Sequence, residues 1–118
     1  MKVGKLFLRS RKAEVNVQRI LDKMYIEALE HDIEAEDAIV DRGNSRDIDR
    51  DHIGELLDEI LSSDVEALVL LTVGDITDDI HDLVQFMKDA EECGVTVYSM
   101  DGEFRQWNNI QEDKSEED

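Results

Sequence analysis

The chain has 118 residues, 41% of them hydrophobic, and carries 31 acidic against 13 basic residues for a net charge of −18. That length fits one domain, no segment approaches the roughly 20 consecutive apolar residues of a membrane helix, and the short basic start Met1–Leu6 lacks the apolar stretch of a signal peptide. A single cysteine, Cys93, cannot form an internal disulfide, so the expected location is the cytoplasm. Nucleic-acid affinity rests largely on Lys and Arg displacing counterions from phosphates, and so strong an acidic excess predicts no autonomous binding to DNA or RNA. The basic residues do gather locally, with Arg9, Arg11, Lys12 and Arg19 in one group and Arg42, Arg46 and Arg50 in another. Surrounding carboxylates are expected to offset both groups.

In chain order, Val3–Leu8 is an apolar run of strand length. From Ala13 the period becomes helical, with Val17, Ile20, Leu21, Met24 and Ala28 forming a stripe at three- and four-residue steps. Ala35–Val40 reads as a second strand, and the polar stretch Asp41–Asp51, with Gly43, Asn44 and Ser45, as a loop. A helix follows, with Ile53, Leu56, Leu57, Ile60 and Leu61 on one side, ending at Ser62–Asp64. Ala67–Val73 is the most continuous apolar run, the pattern of a strand covered on both faces. Gly74 breaks it, and Ile76, Ile80, Leu83, Val84 and Met87 mark a third helix whose N-cap is expected among Asp75, Thr77 and Asp78. Cys93 and Gly94 close that helix, and Val95–Met100 is the fourth strand.

The resulting β-α-β-α-β-α-β order predicts an α/β three-layer sandwich: a mainly parallel four-stranded sheet with helices on both faces. Residues 1–101 form this domain, and 102–118 are expected to be an acidic C-terminal tail, largely disordered, with Glu112–Asp118 the most polar part. Phe104 and Trp107 are the tail's anchors and are expected to dock within the chain.

Chemistry in a parallel α/β sheet gathers at the carboxyl ends of the strands. Here those ends read Phe7-Leu8-Arg9-Ser10, then Asp41-Arg42-Gly43-Asn44-Ser45 leading to Asp49-Arg50 and the Ile53, Leu56, Leu57 helix, then Thr72-Val73-Gly74-Asp75-Ile76-Thr77-Asp78. Over roughly residues 3–101 this layout resembles the catalytic domain of the serine recombinases, the resolvase and invertase family. Its first strand ends in Tyr-x-Arg-x-Ser, its second-strand loop leads to an Asp-Arg pair before a Leu-rich helix, and its third strand is followed by an Asp-Arg-x-x-Arg motif. Gln18 also stands where that family often has a glutamine on its first helix. The resemblance implies attack on a DNA phosphodiester by a serine hydroxyl, with arginines holding the phosphoryl oxygens. On this chain it assigns Ser10 as nucleophile and Arg9 and Arg50 as arginines, with no cofactor and no metal.

The match departs from the family at these positions. Arg9 and Ser10 are adjacent, whereas the family spaces its arginine and serine by one residue, which in an extended chain sends both side chains to one face. Aligned back from Gly94-Val95, the third motif falls on Gly74, Asp75 and Asp78, so two cations become two anions. Unit charges ~4 Å apart interact by roughly 4 kcal/mol at an effective dielectric of about 20, and each 1.4 kcal/mol is about tenfold in rate. The expectation is a degenerate, catalytically inactive member that serves as a protein-interaction or regulatory module with an unidentified protein partner, compatible with a homodimer. The alternative is an active recombinase subunit whose DNA contacts come from a partner; no helix-turn-helix fits in the residues after the fourth strand. A phospho-receiver is disfavoured, since the first strand ends in Arg9-Ser10 and not in paired acids. Asp75, Asp78, Asp79 and Asp82 read as complements to a helix dipole in preference to a magnesium site.

Overall fold

In the computed structural model, residues 1–43, 53–56, 58 and 64–108 are described. The sheet has five strands: β1 (Lys2–Arg9), β2 (Ile33–Asp41), β3 (Ala67–Leu70), β4 (Thr96–Ser99) and β5 (Arg105–Gln106). Their order is β2-β1-β3-β4-β5. The first four are mutually parallel, and β5 runs antiparallel to β4, pairing Tyr98 with Gln106 and Ser99 with Arg105. The sequence predicts four strands; β5 adds a fifth from what was read as tail. Its two residues are polar and exposed, so no apolar pattern marks it.

Helix α1 (Glu14–Glu30) crosses from β1 to β2 and buries Val17, Leu21, Met24 and Ala28, the stripe expected from the periodicity. Its C-terminal turn closes on His31, and Asp32 takes a left-handed φ of 65° to redirect the chain into β2. Helix α2 (Ile80–Glu92) leads from the turn after β3 to β4. Gly94, at φ +80, lets Val95 N–H return to the Ala90 carbonyl and end that helix sharply. Ile53 and Leu56 lie in helical backbone and are fully buried. Leu57, Ile60 and Leu61, placed on the same helix by the sequence, fall outside the described residues.

Strand alternation divides the interior into two cores. Leu6 and Leu8 of β1 face α1 and join Val17, Met24, Val69 and Tyr98. Phe7 faces the opposite side with Ile53, Leu56, Leu68, Leu70 and Phe86. A strand apolar on both faces, such as β3 with four consecutive buried residues, requires cover on both. Gly4 is fixed by close approach, because a Cβ there would stand 2.5 Å from Ile33 Cγ2.

Two boundaries shift from the sequence reading. β3 stops at Leu70, and Val73–Asp75 is a short 3₁₀ turn held by Asp75 N–H to the Thr72 carbonyl at 3.0 Å. α2 begins at Ile80, and its N-cap is Asp79, whose carboxylate accepts the His81 and Asp82 N–H groups. The expected caps are otherwise engaged. Thr77 Oγ1 accepts the Asp79 N–H at 3.2 Å, and the buried Ile76 holds the preceding turn in the second core.

Candidate functional site

The carboxyl edge of β1 carries the residues singled out by the sequence. Arg9 is the last residue of the strand and Ser10 the first beyond it, both half-buried. The Ser10 N–H donates to the Asp41 carbonyl at 3.0 Å, continuing the β1–β2 ladder by one bond. The Arg9 N–H points the other way and donates to Asp75 Oδ2 at 3.2 Å. By alternation, Arg9 continues the Phe7 face of the sheet and Ser10 the Leu8 face, above α1. The Ser10 hydroxyl accepts the Lys12 N–H at 3.2 Å, a local turn bond.

Two carboxylates stand buried at this edge. Asp75 is 6% exposed and Asp41 1%. Asp41 accepts the Gly43 N–H at 2.9 Å, tightening the loop after β2. Asp75 fills a different need. β3 ends at Leu70, opposite Phe7, so the Arg9 N–H has no strand carbonyl on that side and the Asp75 carboxylate takes its place. Glu66 does the same at the other end of β3, accepting the Val3 N–H at 2.9 Å. The sequence reading placed Asp75 among helix caps; a carboxylate that substitutes for a missing strand carbonyl leaves no periodic signal.

Arg50, the other arginine named from the sequence, lies outside the described residues, as do Arg46 and Asp49. The structure thus brings Arg9, Ser10, Asp41 and Asp75 to one edge. Arg42 adds a contact the sequence did not disclose: its guanidinium donates to the Lys12 carbonyl, pinning the loop after β2 to the loop after β1. Among the described residues, no group of three or more His, Cys, Asp or Glu is arranged to hold a metal ion. None of their helices is long and apolar enough to cross a membrane.

Away from this edge, Lys5 is buried on β1 and pairs with the exposed Asp37 on β2. Burial, then the negative charge of Asp37, raise the nearby Tyr25 phenol above its usual pKa.

Beside Ser10, a depression of about 520 Å³ is lined by Lys12, Ala13, Asn16, Arg19, Ile20 and Lys23. A second, of about 270 Å³, shares Lys12, Ile20 and Lys23 with it and extends to Leu71 and Met100 at the ends of β3 and β4. Lys23 joins Lys12 and Arg19 here although it lies outside the basic group Arg9–Arg19 of the sequence; its four-residue step from Arg19 on a helix is the available signal.

The fold has clear counterparts among solved structures. The N-terminal catalytic domain of TP901-1 integrase superposes with a TM-score of 0.69 at 14% identity, over 84% of this chain and 77% of that one. The C-terminal catalytic domain of ISC1926 TnpA, an IS607-like serine recombinase, gives 0.72 at 9% identity, over 98% and 76%. A resolvase family site-specific recombinase from Streptococcus pneumoniae gives 0.65 at 15% identity, over 84% and 72%. No protein-family model and no curated protein sequence matches the chain. The fold is that of serine recombinase catalytic domains, reached at sequence identities that carry the architecture alone.

Proposed function

We propose that this chain is a serine-recombinase-fold protein that does not transfer DNA strands and acts in the cytoplasm as a protein-binding or regulatory module. The observation that carries the reading is Asp75. By the resemblance, its position belongs to a phosphate-holding arginine; here a buried carboxylate sits there, bonded to the backbone of Arg9. A phosphodiester brought to this edge meets the Asp75 carboxyl where the reaction calls for a cation, so the positive charge that would stabilise the phosphoryl oxygens is missing at this position. Ser10 supports the same reading. Its hydroxyl is engaged by the Lys12 N–H, and Arg9 leaves the sheet on the other face. The net charge of −18 weakens any polyanion encounter further.

The test is covalent. Incubated with supercoiled plasmid and with duplex oligonucleotides, the protein is expected to yield no DNA-linked species on denaturing gels, and Ser10→Ala is expected to behave identically. A phosphoserine adduct that disappears in Ser10→Ala would instead establish an active strand-transfer enzyme.

A further inference from the structure

We propose that the groove along α1 beside Ser10 is the docking site for an extended acidic–apolar peptide segment of a partner protein; this rests on the protein-binding reading above and names the chemistry of the partner. Asn16, Arg19 and Lys23 follow one another at steps of three and four, a single stripe on α1, and Lys12, in the turn just before the helix, lines the same depression. Among the described residues no carboxylate lies within ion-pair distance of Lys12, Arg19 or Lys23. In a chain with 31 acidic residues, three cations on one wall with no carboxylate partner among the described residues form a distinct positive surface. Two further features add to it. Arg42 reaches in to the Lys12 carbonyl, and the N-terminus of α1, which no side chain caps, opens at Ala13 on the same depression.

The floor is apolar. Ile20 and Met24 from α1 meet Leu71 and Met100 from the ends of β3 and β4, and Glu27 marks the far end. The helical stripe from residue 16 to residue 23 is about 10 Å long at 1.5 Å per residue, which about three residues of extended chain span at roughly 3.3 Å each, and Lys12 lengthens the wall beyond it. Side chains of an extended segment alternate, so one that places carboxylates against the cations places its intervening side chains over the floor. The complementary pattern is therefore acidic and apolar in alternation.

Charge range separates this occupant from others. At physiological ionic strength fields decay over about 8 Å, so a short peptide senses mainly the local cations. A nucleic acid strand runs beyond the groove onto the acidic remainder of the surface, and a second copy of the chain brings its own net charge of −18. Both are repelled where a short segment is not.

The experiment uses a fluorescein-labelled peptide with four Glu alternating with three Leu, read by anisotropy against the full chain at 50 mM NaCl. Comparison probes are the same peptide with Gln in place of Glu and a twelve-nucleotide single-stranded DNA. Lys23→Glu and Lys12→Glu alter exposed side chains only and are checked by circular dichroism; Lys88→Glu, on α2, changes net charge by the same amount outside the groove. The expected result is at least tenfold weaker peptide binding for Lys23→Glu and for Lys12→Glu, less than twofold for Lys88→Glu, and at least tenfold for the Gln probe. Absence of binding by the wild type, equal weakening by Lys88→Glu, or tighter binding of the oligonucleotide overturns the assignment. Failure here without a DNA adduct removes the groove alone, whereas oligonucleotide preference together with a Ser10-dependent adduct removes the protein-binding reading as well.

Discussion

Asp75 helps hold the end of β1 by accepting the Arg9 N–H, and removing this acceptor has a definite cost. The Arg9 N–H would be left at a half-buried edge where no strand carbonyl replaces the carboxylate. Hydrogen bonds to charged groups contribute about 1.5–3 kcal/mol net, and an orphaned buried donor loses the desolvation cost besides. Asp75→Ala is therefore expected to destabilise the fold by about 2 kcal/mol, measured as a lowered urea midpoint at unchanged slope. Asp75→Asn, which keeps an oxygen acceptor without the charge, should lose less. If the carboxylate only replaced a catalytic group and bore no structural role, both variants would unfold at the wild-type midpoint. Asp75→Arg, which restores the charge expected from the resemblance, should be the least stable of the three, since a longer cation cannot accept the Arg9 N–H.

Among the elements, β5 depends on its neighbours more than on its own two residues. Asn108, just beyond it, accepts the Val97 N–H at 2.8 Å and donates to the Val95 carbonyl at 3.1 Å and the Met87 carbonyl at 3.3 Å. One buried amide thus ties the end of β5 to β4 and to α2. Trp107 adds a bond from its indole N–H to Ser99 Oγ at 2.7 Å, and Phe104 stacks on His31 and Tyr98. Asn108→Ala is expected to cost about 2–3 kcal/mol, because it strands a buried Val97 N–H and the Val95 carbonyl together, and to raise amide exchange at Val97 and Trp107 above that of β1. Exchange that rises equally throughout the sheet would show that β5 is not a separate unit. These contacts also explain what the sequence could and could not convey. α1 and the two apolar faces of β1 and β3 were legible because burial imposes a period on many residues at once. The docking of Phe104 and Trp107 was legible from their size amid polar neighbours. β5 was not, since two polar exposed residues carry no pattern, and neither was the cap at Asp79, because four aspartates near that helix start offer equivalent oxygens and only the buried turn at Ile76 selects among them. At the site, residue types and a pairing of Arg9 or Arg50 with Asp41, Asp47 or Asp75 were readable, but the bond from the Arg9 backbone N–H to the Asp75 carboxylate, 66 positions apart, was not, since nothing local announces it.

For the molecule as a whole, charge sets how the fold responds to solvent. A net charge of −18 on 118 residues means that folding concentrates like charges that the unfolded chain keeps farther apart. Lys5 with Asp37 offsets part of this, while among the described residues Asp22, Glu30, Glu34, Glu36 and Asp89 stand exposed on α1, β2 and α2. Repulsion between exposed charges is screened with a Debye length of about 10 Å at 0.1 M salt and about 3 Å at 1 M. Stability should therefore rise with sodium chloride between 50 mM and 1 M, with most of the gain below about 0.3 M, where the screening length passes through typical separations of surface carboxylates. Thermal unfolding at a series of salt concentrations checks this, with choline chloride as a second salt to separate screening from specific cation binding. A melting temperature independent of salt would mean that the acidic residues are spaced or paired so that self-repulsion is negligible. The same dependence should run in the opposite direction for peptide capture by the α1 groove, where the charges attract: salt that stabilises the fold should weaken the complex. Opposite slopes in one buffer series would separate the two charge distributions of a single chain, an acidic majority that resists compaction and a cationic stripe beside Ser10 that selects a partner.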